Sequence, residues 1–401
     1  MSERLITNIL CPLLVLGVVL GSGCSQHKEV EHLAIVGAMT YDKVTENGQD
    51  KYQVSALIYK PLEMGDGKGG GSKSDPPYLV TSALGISLID AQKKLRTYSS
   101  RYMLYSHTEV IIVGERLMRE DGIEKFLDLT ARSRNIRLRT FLFVAKGEAV
   151  DILAVKPWQE PTISQEIVKF IERQKTESTG YVPDLKEFIQ YSLSPRRDPL
   201  LGKIQIRTVP DKLLVGMEKG TEMLNLTGAS AVSKNRFAGW LNDEEVKGFL
   251  FIVNQFEHGT ITVQLPSKQQ ESLSCQIIQA KTSIQPQIED EELSVFLEVE
   301  VDLKVVDIEG EAPISNQIET EELNELITKD IQRIMESSIQ KSQELRSDIF
   351  GFGETVHEKY PAAWKEIEDD WREIYPDLPI NVNVEAKIRQ PGIISSPVEV
   401  K

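Results

Sequence analysis

The sequence predicts an α+β, multi-domain fold, with two to three domains of mixed and antiparallel sheets and packed helices. Three observations carry this. Leu293, Val295, Leu297, Val299, Val301, Leu303 and Val305 alternate with mostly charged residues, as do Ile380, Val382, Val384, Ala386 and Ile388. Such alternation is the signature of a strand buried on one face. From Thr320 to Phe352, apolar residues recur at three- and four-residue steps, predicting a long C-terminal amphipathic helix that covers that face. In the first half, short apolar runs of strand length alternate with helix-period segments, which predicts mixed α/β layers.

At 401 residues the chain exceeds one ordinary domain. A net charge of −15 argues against a nucleic-acid partner. Cys11, Cys24 and Cys275 build no disulfide framework, because the first two sit in or beside a leader. Cys275 is expected as a small buried hydrophobe.

Arg4 precedes an apolar run from Leu5 to Leu20, and the small residues Gly21, Ser22 and Gly23 lead directly into Cys24. A short apolar core ending in small residues reads as a secretory signal over residues 1–23. A cysteine at that point resembles the bacterial lipobox, whose thiol is lipidated and becomes the new N-terminus; Gly21 departs from it where Leu is usual. Lipidation at Cys24 would tether the protein to a membrane without spanning it.

After the tether, LAIVGAMTYDK from Leu33 and KYQVSALIYKP from Lys51 read as a hairpin turning at Asn47-Gly48. The glycine run at 65–71 lacks the Gly-Lys-Ser/Thr of a phosphate loop and reads as a surface loop. Leu88, Ala91 and Leu95 mark a helix, and EVIIVG from Glu109 a central strand. A helix over 122–129 and the strand LRTFLFVAKG follow. Arg132, Arg134, Arg137 and Arg139 could meet anionic lipid headgroups, although the flanking acids favour a solvated edge. ISQEIVKFIERQK is helical, and Asp184 with Glu187 has capping-box spacing for another helix. The turn-rich SPRRDPLLG from Ser194 is the boundary candidate, dividing 24–205 from 206–401, with room for a subdivision near 275–290.

In the second half, TITVQLP adds a short strand, and one-sided alternation favours antiparallel pairing. Gly351 and Gly353 mark the end of the long helix or a kink in it. Trp364 and Trp371 lie seven residues apart on one helical face. Packing onto the sheet is the expected role of the pair; the alternative is an exposed patch forming a partner interface. His27, His32, His107, His258 and His357 show no metal spacing, and no nucleophile elbow or Cys–His pair is present. The residues thus support no catalytic set, no metal site, no cofactor and no identifiable ligand-binding set.

Four segments resemble the Ger(x)C family of spore germination lipoproteins over nearly the whole mature length. They are Cys24 with HLAIVGAMTYDK, the block YSHTEVIIVGERLMREDGIEKFLD, the block GWLNDEEVKGFLFI, and the terminal QELRSDIFGFGETVHEKYPAAWKEIEDDWREIYPDLPINVNVEAKI. In the last, Asp348, Gly351, Phe352, Gly353, Tyr360, Pro361, Trp364 and Trp371 stand at the family's spacing. No Trp follows Cys24 at short distance, and the glycine run looks inserted. The resemblance implies a non-enzymatic lipoprotein subunit of a nutrient germinant receptor, required for germination. Its implied place is lipid-anchored at the outer face of the spore inner membrane, with integral-membrane A and B subunits as partners. A solute-binding lipoprotein of a transporter is the alternative.

Overall fold

The computed structural model describes residues 32–60, 76–132, 136–210, 220–265, 272–309 and 317–390. The leader with Cys24, the glycine run at 65–71, Arg134 and the side chain of Arg132 lie outside the described residues.

Among the described residues the strands form two sheets. The first has ten strands in the path β10-β9-β7-β6-β5-β1-β2-β3, with β4 on β1 and β8 on β7. The hairpin forms as expected: β1 (Leu33–Glu46) and β2 (Gln49–Tyr59) pair antiparallel. Asn47 and Gly48, at φ 53° and 76°, make the turn; two successive positive φ values match the right-handed twist of the strands they join. β3 (Tyr78–Gly85), helix α1 (Leu88–Thr97) and β4 (Tyr102–Leu104) follow. The Ser87 side chain accepts from the Asp90 N–H and caps α1. β5 (Val110–Gly114) is buried at every residue and lies between β1 and β6 (Phe141–Ala145), parallel to both. Its unbroken apolar run fits a strand covered on both faces.

Helices α2 (Glu115–Glu120) and α3 (Glu124–Arg132) fall between β5 and β6. After β6 come α4 (Ala149–Ala154), α5 (Ile163–Glu177) and α6 (Leu185–Ser192), the last capped by Asp184, which accepts from the Glu187 N–H. β7 (Leu200–Thr208), β8 (Glu222–Asn225), β9 (Ala229–Ser233) and β10 (Arg236–Leu241) complete the sheet. The expected limit at 205/206 therefore falls inside β7, and strands beyond it belong to the same sheet.

Helix α7 (Asp243–Ile252) opens with a capping box between Asn242 and Glu245. The second sheet runs β11 (Thr260–Gln264), β12 (Ser272–Glu289), β13 (Glu292–Glu309) and β14 (Ile380–Gln390). Residues 275–290, where a subdivision was open, are one continuous strand and its turn. β11, β12 and β13 pair antiparallel, but β14 pairs parallel to β13. Alternation reports one-sided burial and is blind to strand direction, which here follows from the long helical return between β13 and β14. Val295, Leu297, Val299, Val301 and Leu303 are all buried, as is Cys275 on β12, whose thiol burial pushes up to about 12.

Helix α8 (Gln317–Glu344) is 28 residues, about 42 Å at 1.5 Å per residue. It buries Ile327, Ile331, Met335 and Ile339 in the same cluster as β13. The helix stops well short of Gly351. Arg346 takes the left-handed conformation at φ 50°. The Ser347 N–H donates to Ser342 O at 3.1 Å and the Arg346 N–H to Gln343 O at 3.0 Å. These two bonds define a Schellman stop, made here without glycine, which is why the apolar stripe runs past the true end. Short helices α9 (Phe352–Lys359), α10 (Pro361–Ile367) and α11 (Trp371–Ile374) then lead to β14.

A buried carboxylate elsewhere sets a pH dependence. Asp42 on β1 is buried and accepts from the Ala149 N–H at 2.7 Å and the Val150 N–H at 3.0 Å, capping α4. Burial pushes its carboxyl up to about 7 against those two bonds, with Glu148 and Asp151 adding to the rise. A folded-state value above the unfolded one means the native chain holds a proton that the unfolded chain has released. This group's contribution is therefore fully present only below the unfolded value of 3.8 and is lost as pH rises through about 7. Asp42→Asn is expected to flatten that decline by up to about 1.4 kcal/mol per pH unit, read from urea titrations at stepped pH. Parallel slopes in the two proteins would show Asp42 to be ionised throughout.

Candidate functional site: a buried carboxylate knot

The terminal motif, from the end of α8 to α11, is organised around Asp348. This residue is 2% exposed, yet four N–H groups converge on it. The Gly351 and Phe352 amides donate to Oδ1 at 2.9 and 3.0 Å. The Gly353 amide and the Trp371 indole donate to Oδ2 at 2.9 and 3.1 Å. A carboxylate at the start of a helix satisfies first-turn donors that otherwise have no acceptor. Burial pushes the Asp348 carboxyl up to about 6, opposed by the Gly353, Phe352 and Trp371 donors. The neighbouring Asp198 carboxyl adds to the rise, while the converging donors favour the ionised form, whose two oxygens accept from all four without an O–H of their own to place.

The glycines are dictated by this geometry. Gly351 sits at φ +80°, in the left-handed region. A Cβ on Gly353 would lie 2.7 Å from the Arg196 carbonyl oxygen and 2.9 Å from both tryptophan rings. Backbone, indole and carboxylate therefore close on one another with no room for a side chain.

The segment expected as an interdomain boundary is the other half of the knot. The Asp198 N–H donates to Asp348 O at 2.8 Å, and the Asp348 N–H to Asp198 Oδ2 at 3.2 Å. Arg372 Nη2 donates to Asp198 Oδ1 at 2.9 Å. Burial raises the Asp198 carboxyl, with the Arg372 guanidinium pulling it back. Arg197 donates through Nε to Ile349 O at 3.1 Å, with its guanidinium over the Tyr191 ring at 3.9 Å. Ser347 Oγ donates to Val232 O on β9 at 2.8 Å. One short turn thus ties the approach to β7, strand β9 of the first sheet and the helices covering the second. Turn-forming Pro195 and Pro199 explain why SPRRDPLLG reads as a linker; its two arginines and aspartate are what belong to a docked segment.

Trp364 and Trp371 are 0% and 2% exposed, with ring centroids 5.2 Å apart. Trp371 also lies 6.1 Å from Tyr375, and Trp364 Nε1 donates to Glu368 Oε2 at 3.1 Å. Trp364 and Trp371 stand on two separate short helices, α10 and α11, and not on one helical face; their rings meet facing inward, which corrects the exposed docking patch weighed for the pair. Asp198, Arg197 and Arg372 were missed as site residues, since no local spacing links residues 150 and more positions apart. Chemically the knot holds structure, because its carboxylate oxygens already accept from backbone, indole and guanidinium. Among the described residues no group of His, Cys, Asp and Glu is placed to hold a metal ion, and no helix is long and apolar enough to cross a membrane.

Comparison with known proteins places this architecture. The family described as "Spore germination protein N-terminal domain" matches residues 26–206, and "Spore germination B3/ GerAC like, C-terminal" matches residues 227–392. The chain belongs to this Ger(x)C spore germination family. The knot residues divide between the two matched regions, Asp198 in the first and Asp348 in the second. Among Ger(x)C relatives, spore germination protein KC of Bacillus subtilis is 24% identical, covering 98% of this chain and 97% of its own. Spore germination protein B3 of the same organism is 20% identical over 93% and 95%, and GerQC of Bacillus cereus 20% over 95% and 98%. The crystal structure of the GerBC protein aligns with a TM-score of 0.56 at 17% identity, covering 88% of this chain and 98% of that one. That likeness shows a shared Ger(x)C fold.

Proposed function

We propose that the protein is a non-enzymatic lipoprotein subunit of a nutrient germinant receptor, required for spores to germinate in response to nutrients. In this reading Cys24 carries the lipid anchor at the outer face of the spore inner membrane, beside integral-membrane A and B subunits. The observation that carries it is the match to spore germination proteins along nearly the whole chain. The terminal motif supports it, since its polar residues are committed to holding the fold.

Dipicolinate release from nutrient-treated spores tests the proposal. Spores lacking the gene are expected to lose release to at least one nutrient, and only the native chain, not Cys24→Ala, is expected to restore it fully. Normal release across a broad nutrient panel would sink the receptor reading; tight amino-acid binding in dialysis would then favour a transporter's solute-binding lipoprotein.

A further inference from the structure

We infer that the end of the first sheet at which β1 begins is a docking face for an anionic phospholipid surface; this rests on the anchoring reading above. The topology gathers that face. β4, β5 and β6 run parallel within the sheet and start at the same end as β1, while β2 finishes and β3 begins there. The described chain starts at His32, beside Leu33, which pairs with Tyr102. Eight residue steps separate Cys24 from His32, a span of at most about 28 Å. A lipid on Cys24 therefore keeps this end, and no distant surface, close to the bilayer.

Its chemistry suits that position. Two depressions open here, one of about 320 Å³ lined by Lys60, Ser99, Ser100 and Arg101, the other of about 400 Å³ lined by His107, Arg137 and Arg139. From Asp90 to Thr108 the chain carries Lys93, Lys94, Arg96 and Arg101 against the single acid Asp90, which pairs with Lys94 at 2.9 Å, within a protein of net charge −15. Glu109 is the carboxylate lining the second depression, and it accepts from the Tyr59 hydroxyl at 2.8 Å. Large apolar and aromatic side chains stand out beside the cations: Tyr98 at 64% exposed, Tyr102 at 62% and Leu138 at 54%. Tyrosine favours the headgroup level, and guanidinium matches phosphate oxygens. A strongly acidic protein held near an anionic leaflet is repelled by it except through such a face, so the field also sets its orientation.

The test uses the full chain from a lipid-modifying bacterial host, reconstituted in vesicles of phosphatidylcholine alone or with added phosphatidylglycerol. Amide hydrogen exchange is read at 98–104 and 136–140. Each basic residue at an anionic surface contributes about fivefold. Arg101 and Arg139, one from each depression, are thus expected to account for roughly 25-fold slower exchange in the anionic vesicles. In Arg101→Gln/Arg139→Gln exchange in the anionic vesicles should quicken by that roughly 25-fold share, while exchange in β5 and the thermal melt stay unchanged. Equal exchange in both vesicle types for the native chain would overturn the face. Mass analysis of the N-terminal peptide judges the anchor separately: an unmodified Cys24 overturns the anchoring reading alone, because exchange still reports contact.

Discussion

Asp348→Asn is expected to destabilise the protein by about 3 kcal/mol, more than any conservative polar change elsewhere in the knot. The substitution keeps shape and volume, so packing is not its cause. An amide offers one acceptor oxygen in place of two. Two of the four N–H donors from Gly351, Phe352, Gly353 and Trp371 would then face an NH₂ group. A buried donor without an acceptor costs about 1–3 kcal/mol, offset in part because a neutral side chain is cheaper to bury than a carboxylate. Urea unfolding followed by tryptophan emission reads this directly, since Trp364 and Trp371 sit at the site. A loss below about 1 kcal/mol would mean the four bonds are not what fixes the turn. Asp348→Glu should not rescue: the added methylene enters a cavity already closed by Gly353 and both indoles.

Much of this fold was legible because it is written in local patterns. β13 and β14 were visible from alternation, α8 from its apolar stripe, the first hairpin from Asn47-Gly48. What local patterns do not encode is pairing between distant segments. The direction of β14 is fixed by chain return, so the same alternation fits parallel or antiparallel pairing. The end of α8 was misplaced at the glycines because Arg346 takes a conformation that sequence assigns to glycine by default. The site was half legible. Asp348, Gly351, Gly353 and Trp371 stood out only through the resemblance to the Ger(x)C family, which did not say that the aspartate accepts what the others donate. Asp198 was invisible as a partner, since a Pro-Arg-Arg-Asp-Pro run has the composition of a linker whether or not it is docked.

The burial of the tryptophans separates two roles that their spacing left open, and Trp371→Ala distinguishes them by measurement. Trp371 is held between Trp364 and Tyr375, and its indole is one of the Asp348 donors. Truncation to alanine removes the ring and that donor together, so a loss of about 4–5 kcal/mol is expected, enough to unfold a marginal protein. Trp371→Phe keeps most of the ring and removes the N–H, and should lose about 2 kcal/mol, the share of a hydrogen bond to a charged group. Combined with Asp348→Asn, Trp371→Phe should be clearly less than additive, because both changes break the same bond. A docking patch would behave in the opposite way. Its substitution would leave the unfolding midpoint unchanged and weaken only association with a partner. An unchanged midpoint for Trp371→Ala would return the pair to the surface; the inward geometry, with both rings closed over the Gly353 backbone, predicts the loss.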